Sequence, residues 1–389
     1  MTTGGTPALA GIKVIELARI LAGPFAGQIL ADLGAEVIKV ESPAGDDTRQ
    51  WGPPWVDRAD GNREASYYHA CNRGKRGVIA DFNDPADLAF VRALIADADV
   101  VIENYKLGTL ARFGLDYETL SADNPGLVYC SITGFGQTGP YAPRPGYDYV
   151  IQGMSGMMSL TGEPDGAPMR FGLSISDMAC GLYSTIAIQA ALLARANTGR
   201  GQQIDMSLLD CSVGLLANQA MSYFVTGEVP PRMGNAHASV VPYQVYALAD
   251  GHLIVATAND GQFLRLARLL GLDALADDPR LQDNAGRLAH RDEMNAALSA
   301  AMAVLTKAEM RERCEANNVP VGPINRLDEV FADLQVVARG MKVELSDGLA
   351  SVRSPIIFSD ASLALGRASP MHGEHDAEIR GAMGLPARA

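Results

Sequence analysis

IKVIELARILAGPFAGQILADLGAEVIKVE (residues 12–41) sets two β-branched runs, IKVIEL (12–17) and AEVIKVE (35–41), around a break at Gly23 and Pro24 and the helically spaced FAGQILADLG. Strand, helix and strand in so short a span read as a βαβ unit and hence a parallel sheet, since parallel neighbours need a crossover of this kind. Outward from it, buried-type strands are expected at GVIADF (77–82), DVVIEN (99–104) and GLVYCSIT (126–133), with helical stretches between them. The alternation predicts a doubly wound α/β domain. TGRGQQIDMSLLD (198–210) adds a turn and a short strand, and one apolar helix is expected over 208–225.

Composition then shifts. GEVPPRMGNAHASVVPYQ (227–244) reads as a linker, and YQVYALADGHLIVATA alternates like a hairpin turning at Asp250 and Gly251, followed by helical segments near 261–271 and 293–317. The expected organisation is a large α/β domain beginning with 1–225, a linker and small α+β domain over 226–325, and a return segment, 326–389, that rejoins the large domain. A formal net charge of −13 over 389 residues argues against nucleic-acid and membrane-surface partners, which require a basic face. Five cysteines without a CxxC pair indicate neither a disulfide framework nor a zinc site. The unpaired cysteines fit a reducing cytoplasm; no signal-peptide pattern is seen at the start, and no uninterrupted apolar run approaches the about 20 residues of a membrane span.

Candidate chemistry is sparse. Gly134, Gly136 and Gly139 match GxGxxG after a strand, but Pro140, Pro143 and Pro145 stand where the phosphate-binding helix should start, so a nicotinamide enzyme is not expected. The six histidines form no metal motif, and neither a GxSxG elbow nor a Cys–His pairing is present. The densest cationic cluster, Arg73, Lys75 and Arg76 beside Asn72, reads as a solvated turn or, against so acidic a background, a site for a ligand phosphate. In RFGLSISDMACGLYSTIAIQAALLAR (170–195) the one charged residue between the terminal arginines is Asp177, where small alternating residues give way to a helix. It is either a plain helix N-cap, which the stretch alone favours, or a carboxylate nucleophile kept ionised by the helix N-terminus.

Taken together, LAGPFAGQILADLGAEVIKVESPAGDDTRQWGPP (21–54), CNRGKRGV (71–78), VIENYKLGTLARFGLDYE (101–118), YCSITGFGQTGPYAPRPGYD (129–148) and RFGLSISDMACG (170–181) resemble the class III CoA-transferase family, the formyl-CoA transferase or CaiB/BaiF type, which includes α-methylacyl-CoA racemases. Within it, GDDTRQWGPP and AHASVVPYQVY (236–246) look most like members that use short dicarboxylates such as succinate and glutarate.

The resemblance implies an interlocked homodimer, each chain with a Rossmann-like large domain made by both chain ends and a small middle domain, coenzyme A carried as the acyl thioester, no metal and no nicotinamide. It makes Asp177 the nucleophile, passing through aspartyl anhydride and aspartyl-CoA thioester intermediates. It implies CoA contacts at Leu21, Ala22, Ala80, Asp81, Phe82, Asn83, Asn104, Tyr105, Lys106 and Arg112; Leu21 and Ser42 depart from the glutamine and arginine of formyl-CoA transferase. Trp51, Tyr67 and Phe135 match acyl-pocket positions, and the glycine loop of Gly134 and Gly136 would supply oxyanion donors. Arg49, Asn235, His237 and Ser239 are candidates for a distal carboxylate. Racemases carry a His-Asp dipeptide where this chain has Tyr147 and Asp148, and a tyrosine with a pKa of about 10 is a poor base, so transfer is favoured over racemisation. The rivals within the likeness are the racemase and a non-catalytic CoA-binding homologue.

Overall fold

In the structure, a computed structural model that describes residues 4–388, β1 (Lys13–Glu16), the helix Ala22–Asp32 and β2 (Glu36–Glu41) form the expected βαβ unit, with Val14 opposite Val37 in parallel register. Pro24 lies in the first turn of that helix, where a missing N–H costs no intrahelical bond. β3 (Trp55–Asp57) and β4 (Arg63–Ala65) make a small antiparallel hairpin. The main sheet is completed by β5 (Arg76–Ile79), β6 (Val100–Glu103), β7 (Val128–Thr133) and β8 (Gln203–Ser207).

Its order is β5-β2-β1-β6-β7-β8, every pair parallel. That is the doubly wound order, and it reverses between β1 and β6. Successive strand residues serve opposite faces, as the pleat requires. Val14, Val37, Val100 and Val128 join a core with the helices Ala22–Asp32 and Ile175–Thr198, whereas Ile15, Ile38, Val101 and Tyr129 join another with Phe90, Val91 and Leu94 of the helix Pro85–Ala96. Such two-sided burial explains why the strands read as continuous apolar runs.

Ile175–Thr198 is, among the described residues, the one helix long and apolar enough to cross a bilayer by length and composition. Here one side of it packs on Ala22–Asp32, β7 and β8. Gly181 allows the approach, because a Cβ there would lie 2.8 Å from the Ala22 carbonyl oxygen. The single helix expected over 208–225 is two, Leu208–Gly214 and Ala217–Thr226, broken where Ala217 takes φ 40°.

The chain divides into two compact units, the first holding residues 1–158, 170–228 and 337–389, the second 159–169 and 229–336. In the second, β9 (Tyr243–Leu248) and β10 (Gly251–Ala256) form a hairpin, with β11 (Val321–Pro323) antiparallel along the other edge of β10. Phe263, Leu266, Met294, Leu298 and Met310 fill its core from the surrounding helices. Arg232 donates to the Gly166 carbonyl at 2.6 Å and Gly234 N–H to that of Gly162 at 3.0 Å, which ties 159–169 to this unit.

The chain end completes the large domain. His375 N–H donates to the Gly77 carbonyl, and Arg380 pairs with Asp87 at 2.7 Å, so the last helix, Asp376–Ala382, is pinned beside edge strand β5. β12 (Lys342–Glu344) and β13 (Ala350–Val352) pair with each other and add no strand to the parallel sheet.

Candidate active site

A cavity of about 450 Å³ opens at the carboxyl ends of β1, β6 and β7, at the point where strand order reverses. Ligands of doubly wound sheets bind there because the loops after adjacent strands diverge to opposite faces. The walls bring together Leu21, Ala22, Trp51, Asn104, Tyr105, Lys106, Gly134, Tyr147 and Asp177. Arg19, Ile20, Asp47 and Arg144 line it as well, and the sequence reading had singled out none of these four.

Asp177 is not the helix cap. Ser174 occupies the cap position of Ile175–Thr198, and Asp177 lies in the first turn. The N–H groups of Ser176 and Asp177 both point at Asp148 Oδ1, at 2.8 and 3.3 Å. Gln152, one turn further along the helix Asp148–Met154, donates to Asp148 Oδ2 at 2.6 Å and accepts the Phe171 N–H at 2.8 Å. A second carboxylate thus takes the helix donors that were expected to keep Asp177 ionised. Burial, with the negative Asp148 adding to it, pushes the Asp177 carboxyl up to about 7. At neutral pH such a carboxylate is partly ionised and more nucleophilic than an ordinary one.

The loop after β7 is pressed onto the turn before Asp148. A Cβ on Gly134 would lie 2.6 Å from Gly146 Cα, so glycine is required on both sides of the contact. Gly136 is less available than expected as an oxyanion donor, because its N–H bonds to Thr133 Oγ1 at 2.8 Å. Phe135 packs against the core and stands edge-on to Tyr141, with centroids 5.6 Å apart. Trp51, 45% exposed, meets Tyr67 edge-on at 5.3 Å. Tyr67 hydrogen-bonds to Ser174, and burial followed by the charge of Asp177 raises its phenol.

Most of the cations singled out from sequence are committed inside the protein. Arg73 pairs with Asp32 at 2.5 Å. Lys75, with no exposed surface, is held by Glu16 at 2.8 Å, the Pro24 carbonyl and Asn72. Arg76 bridges Glu36 and Glu378. Arg49 is enclosed by Glu41, Glu64, the Tyr68 hydroxyl and the Pro370 carbonyl, and is not a wall of the cavity. The acidity that made these cations stand out supplies their partners. Sequence shows neither burial nor partner, so a buried ion pair and a phosphate clamp look alike in it.

Around the remaining positions, Asn83 N–H bonds to Asp81 Oδ1 in the turn after Ala80. Phe82 packs on Tyr105 and Phe113, and Arg112 lies 5.8 Å from the Phe113 ring. Asn104 uses both side-chain atoms on Arg19, accepting its N–H at 2.9 Å and donating to its carbonyl at 2.6 Å. His237 belongs to the second unit with Asn235 and Ser239; its Nδ1 accepts the N–H groups of Ser239 and Val240. Tyr147, where a racemase has its histidine, is 65% exposed, and Asp148 is taken up by the helix start.

The sequence profile of CoA-transferase family III matches residues 9–376. The chain is 55% identical, over 96% of its length and 95% of the relative's, to a succinate–glutarate CoA-transferase of Agrobacterium fabrum. It is 40% identical, over 95% of this chain and 85% of the relative's, to the succinyl-CoA:glutarate CoA-transferase of Homo sapiens. Among solved structures it superposes on a CaiB/BaiF family protein from Brucella suis with a TM-score of 0.89 and 55% identity, covering 98% of this chain and all of that one. A parallel sheet with a crevice at its switch point, and a sequence match along nearly the whole chain, place this protein in CoA-transferase family III.

Proposed function

We propose that the protein moves CoA between succinyl-CoA and glutarate, or a closely related diacid, with Asp177 as the covalent nucleophile. The observation that carries the reading is the Asp177 carboxyl, set in the switch-point cavity and pushed up to about 7 by burial and then by Asp148. The activities for which the relatives are named support the acid pair.

In the first step the Asp177 carboxylate attacks the thioester carbonyl, the C–S bond breaks, and CoA leaves as thiolate from a mixed anhydride. The thiolate then attacks the aspartyl carbonyl, releasing succinate and leaving an aspartyl-CoA thioester. The acceptor carboxylate attacks that carbonyl and expels the thiolate again, giving a second anhydride. Attack of the thiolate on the acceptor's acyl carbon restores the carboxylate and forms the new acyl-CoA. One thioester and one carboxylate are present at the start and at the end, so the exchange consumes neither a nucleotide nor an oxidant.

Lys106 and Arg144, on the cavity wall, are the cations we assign to the CoA phosphates; Arg19 is partly occupied by Asp47 at 2.9 Å. The protein acts as an interlocked homodimer in this reading. Leu182, Ile186 and Leu193 on Ile175–Thr198, and Phe224 and Val225 on Ala217–Thr226, are exposed and apolar, a surface of the kind that partner chains cover. Sedimentation should give twice the chain mass, and a monomer active at assay concentration would remove the dimer.

Incubation with succinyl-CoA and hydroxylamine tests the mechanism. The Asp177 peptide should gain the mass of a hydroxamate; turnover with an unmodified Asp177 would overturn covalent catalysis. A panel of diacids as acceptors tests the substrate, with glutarate expected among the best and indifference to a second carboxylate counting against a diacid. Exchange of an α-proton of a branched acyl-CoA with solvent deuterium, without an acid acceptor, would indicate the racemase.

A further inference from the structure

Resting on the CoA-transfer reading, we propose that Asp46 is a positioning residue for the reaction: its carboxylate holds Ile20 in a left-handed backbone conformation and so sets the turn that carries Leu21 and Ala22 into the cavity wall. Ile20 has φ 73°, a conformation that a β-branched residue adopts only when its surroundings impose it. The surroundings here are side chains. Lys39 Nζ donates to the Ala18 carbonyl at 2.8 Å, Asn104 holds both the N–H and the carbonyl of Arg19, and the Cys71 thiol lies 3.6 Å from the Ile20 carbonyl oxygen. Ile20 N–H points at both oxygens of Asp46, at 3.3 and 3.2 Å.

Asp46 is itself immobilised. It is 2% exposed, its Oδ1 accepts from Thr48 N–H at 3.0 Å and from the Thr48 hydroxyl at 2.7 Å, and its Oδ2 meets Lys39 Nζ at 2.9 Å. Its own N–H is anchored on Glu41 at 2.8 Å. The loop after β2 therefore presents a fixed charge to the loop after β1. Relaxation of Ile20 to the extended region would turn the peptide that joins it to Leu21. Leu21 and Ala22 open the helix Ala22–Asp32 and line the cavity together with Ile20 and Asp177, so the turn and the nucleophile share one wall. Asp46 touches no substrate; it acts through the backbone of Ile20.

The test is a double-mutant cycle between Asp46→Asn and Ile20→Gly, read as kcat and KM for succinyl-CoA and as Tm. Glycine takes positive φ without a restraining partner. Asp46→Asn in the native background should lower kcat/KM by about tenfold or more, mostly through KM, because a displaced cavity wall at Leu21 and Ala22 weakens binding alike in the ground and transition states. With glycine at position 20 the same substitution should cost under about threefold. If Asp46 serves only the buried charge network, Tm falls in both backgrounds and the loss in kcat/KM is the same in both, which overturns the proposal. Native activity in Asp46→Asn overturns it too, as does failure of the double variant to fold. Failure of the unmodified enzyme to transfer CoA would instead remove the underlying reading.

Discussion

Asp46 is buried and Asp177 partly buried in the large domain, and their acidities lie on opposite sides of the ordinary aspartate. Burial works against ionisation in each case. At Asp46 it is outweighed by the Lys39 ammonium and the Thr48 donors, which hold the carboxyl down to about 2. At Asp177 burial acts unopposed and the Asp148 charge adds to it, so the group rises to about 7. Burial alone therefore says little about what a carboxylate does. The charge next to it decides on which side of the ordinary aspartate its acidity falls.

The comparison breaks most sharply if Asp177 is replaced. Asp177→Asn should cost about three orders of magnitude or more in exchange rate, as expected for loss of a covalent nucleophile. It should also raise Tm, more at pH 8 than at pH 5. An acid whose folded pKa lies above its unfolded value destabilises the fold increasingly as pH rises through that interval, here from about 4 to about 7. A lower Tm at pH 8 than that of the native enzyme would contradict the assignment.

Lys39→Met tests the other carboxylate. It leaves Asp46 buried without its cation and Glu16 with Lys75 alone, and should cost about 3–5 kcal/mol in urea unfolding at neutral pH. For Asp46 the sign is reversed: its depressed pKa stabilises the native protein above about pH 4, by about 2 kcal/mol, and that contribution disappears as pH falls toward 2. The variant should lack this acid step; its persistence would place the acid sensitivity elsewhere.

The smallest effect, and the most diagnostic, is expected from Asp148→Asn. Asparagine keeps an oxygen for the Ser176 N–H but removes the charge. The acid limb of kcat/KM, expected near pH 7 for the native enzyme if Asp177 is the nucleophile, should then move to lower pH. An unmoved limb would leave burial as the whole cause.

Much of this contrast is absent from the linear chain. The βαβ reading at 12–41, the later strands and the 243–256 hairpin are legible because a pleated strand buried on both faces must be apolar throughout, and a hairpin must alternate. Asp177 stands out as an isolated charge in an apolar helix. The roles of its neighbours do not. Arg73, Lys75 and Arg76 carried the strongest cationic signal and turned out to hold the fold, whereas Arg19 and Arg144, scattered and unremarked, line the cavity. Asp148 enters the sequence reading only beside Tyr147, in the dipeptide compared with racemases, and nothing in its position shows that it takes the N–H groups of a helix 28 residues away.

The sequence by itself determined the parallel sheet, the helix that carries Asp177 and the family pattern around it, because local periodicity and ordered motifs are written along the chain. Only the tertiary structure decided which charges became partners and which were left facing the cavity. Electrostatic interaction depends on distance and on the exclusion of water, and folding sets both: it brought Lys39 to Asp46, gave Asp177 a carboxylate for a neighbour, and placed the turn after β1 against the loop after β2.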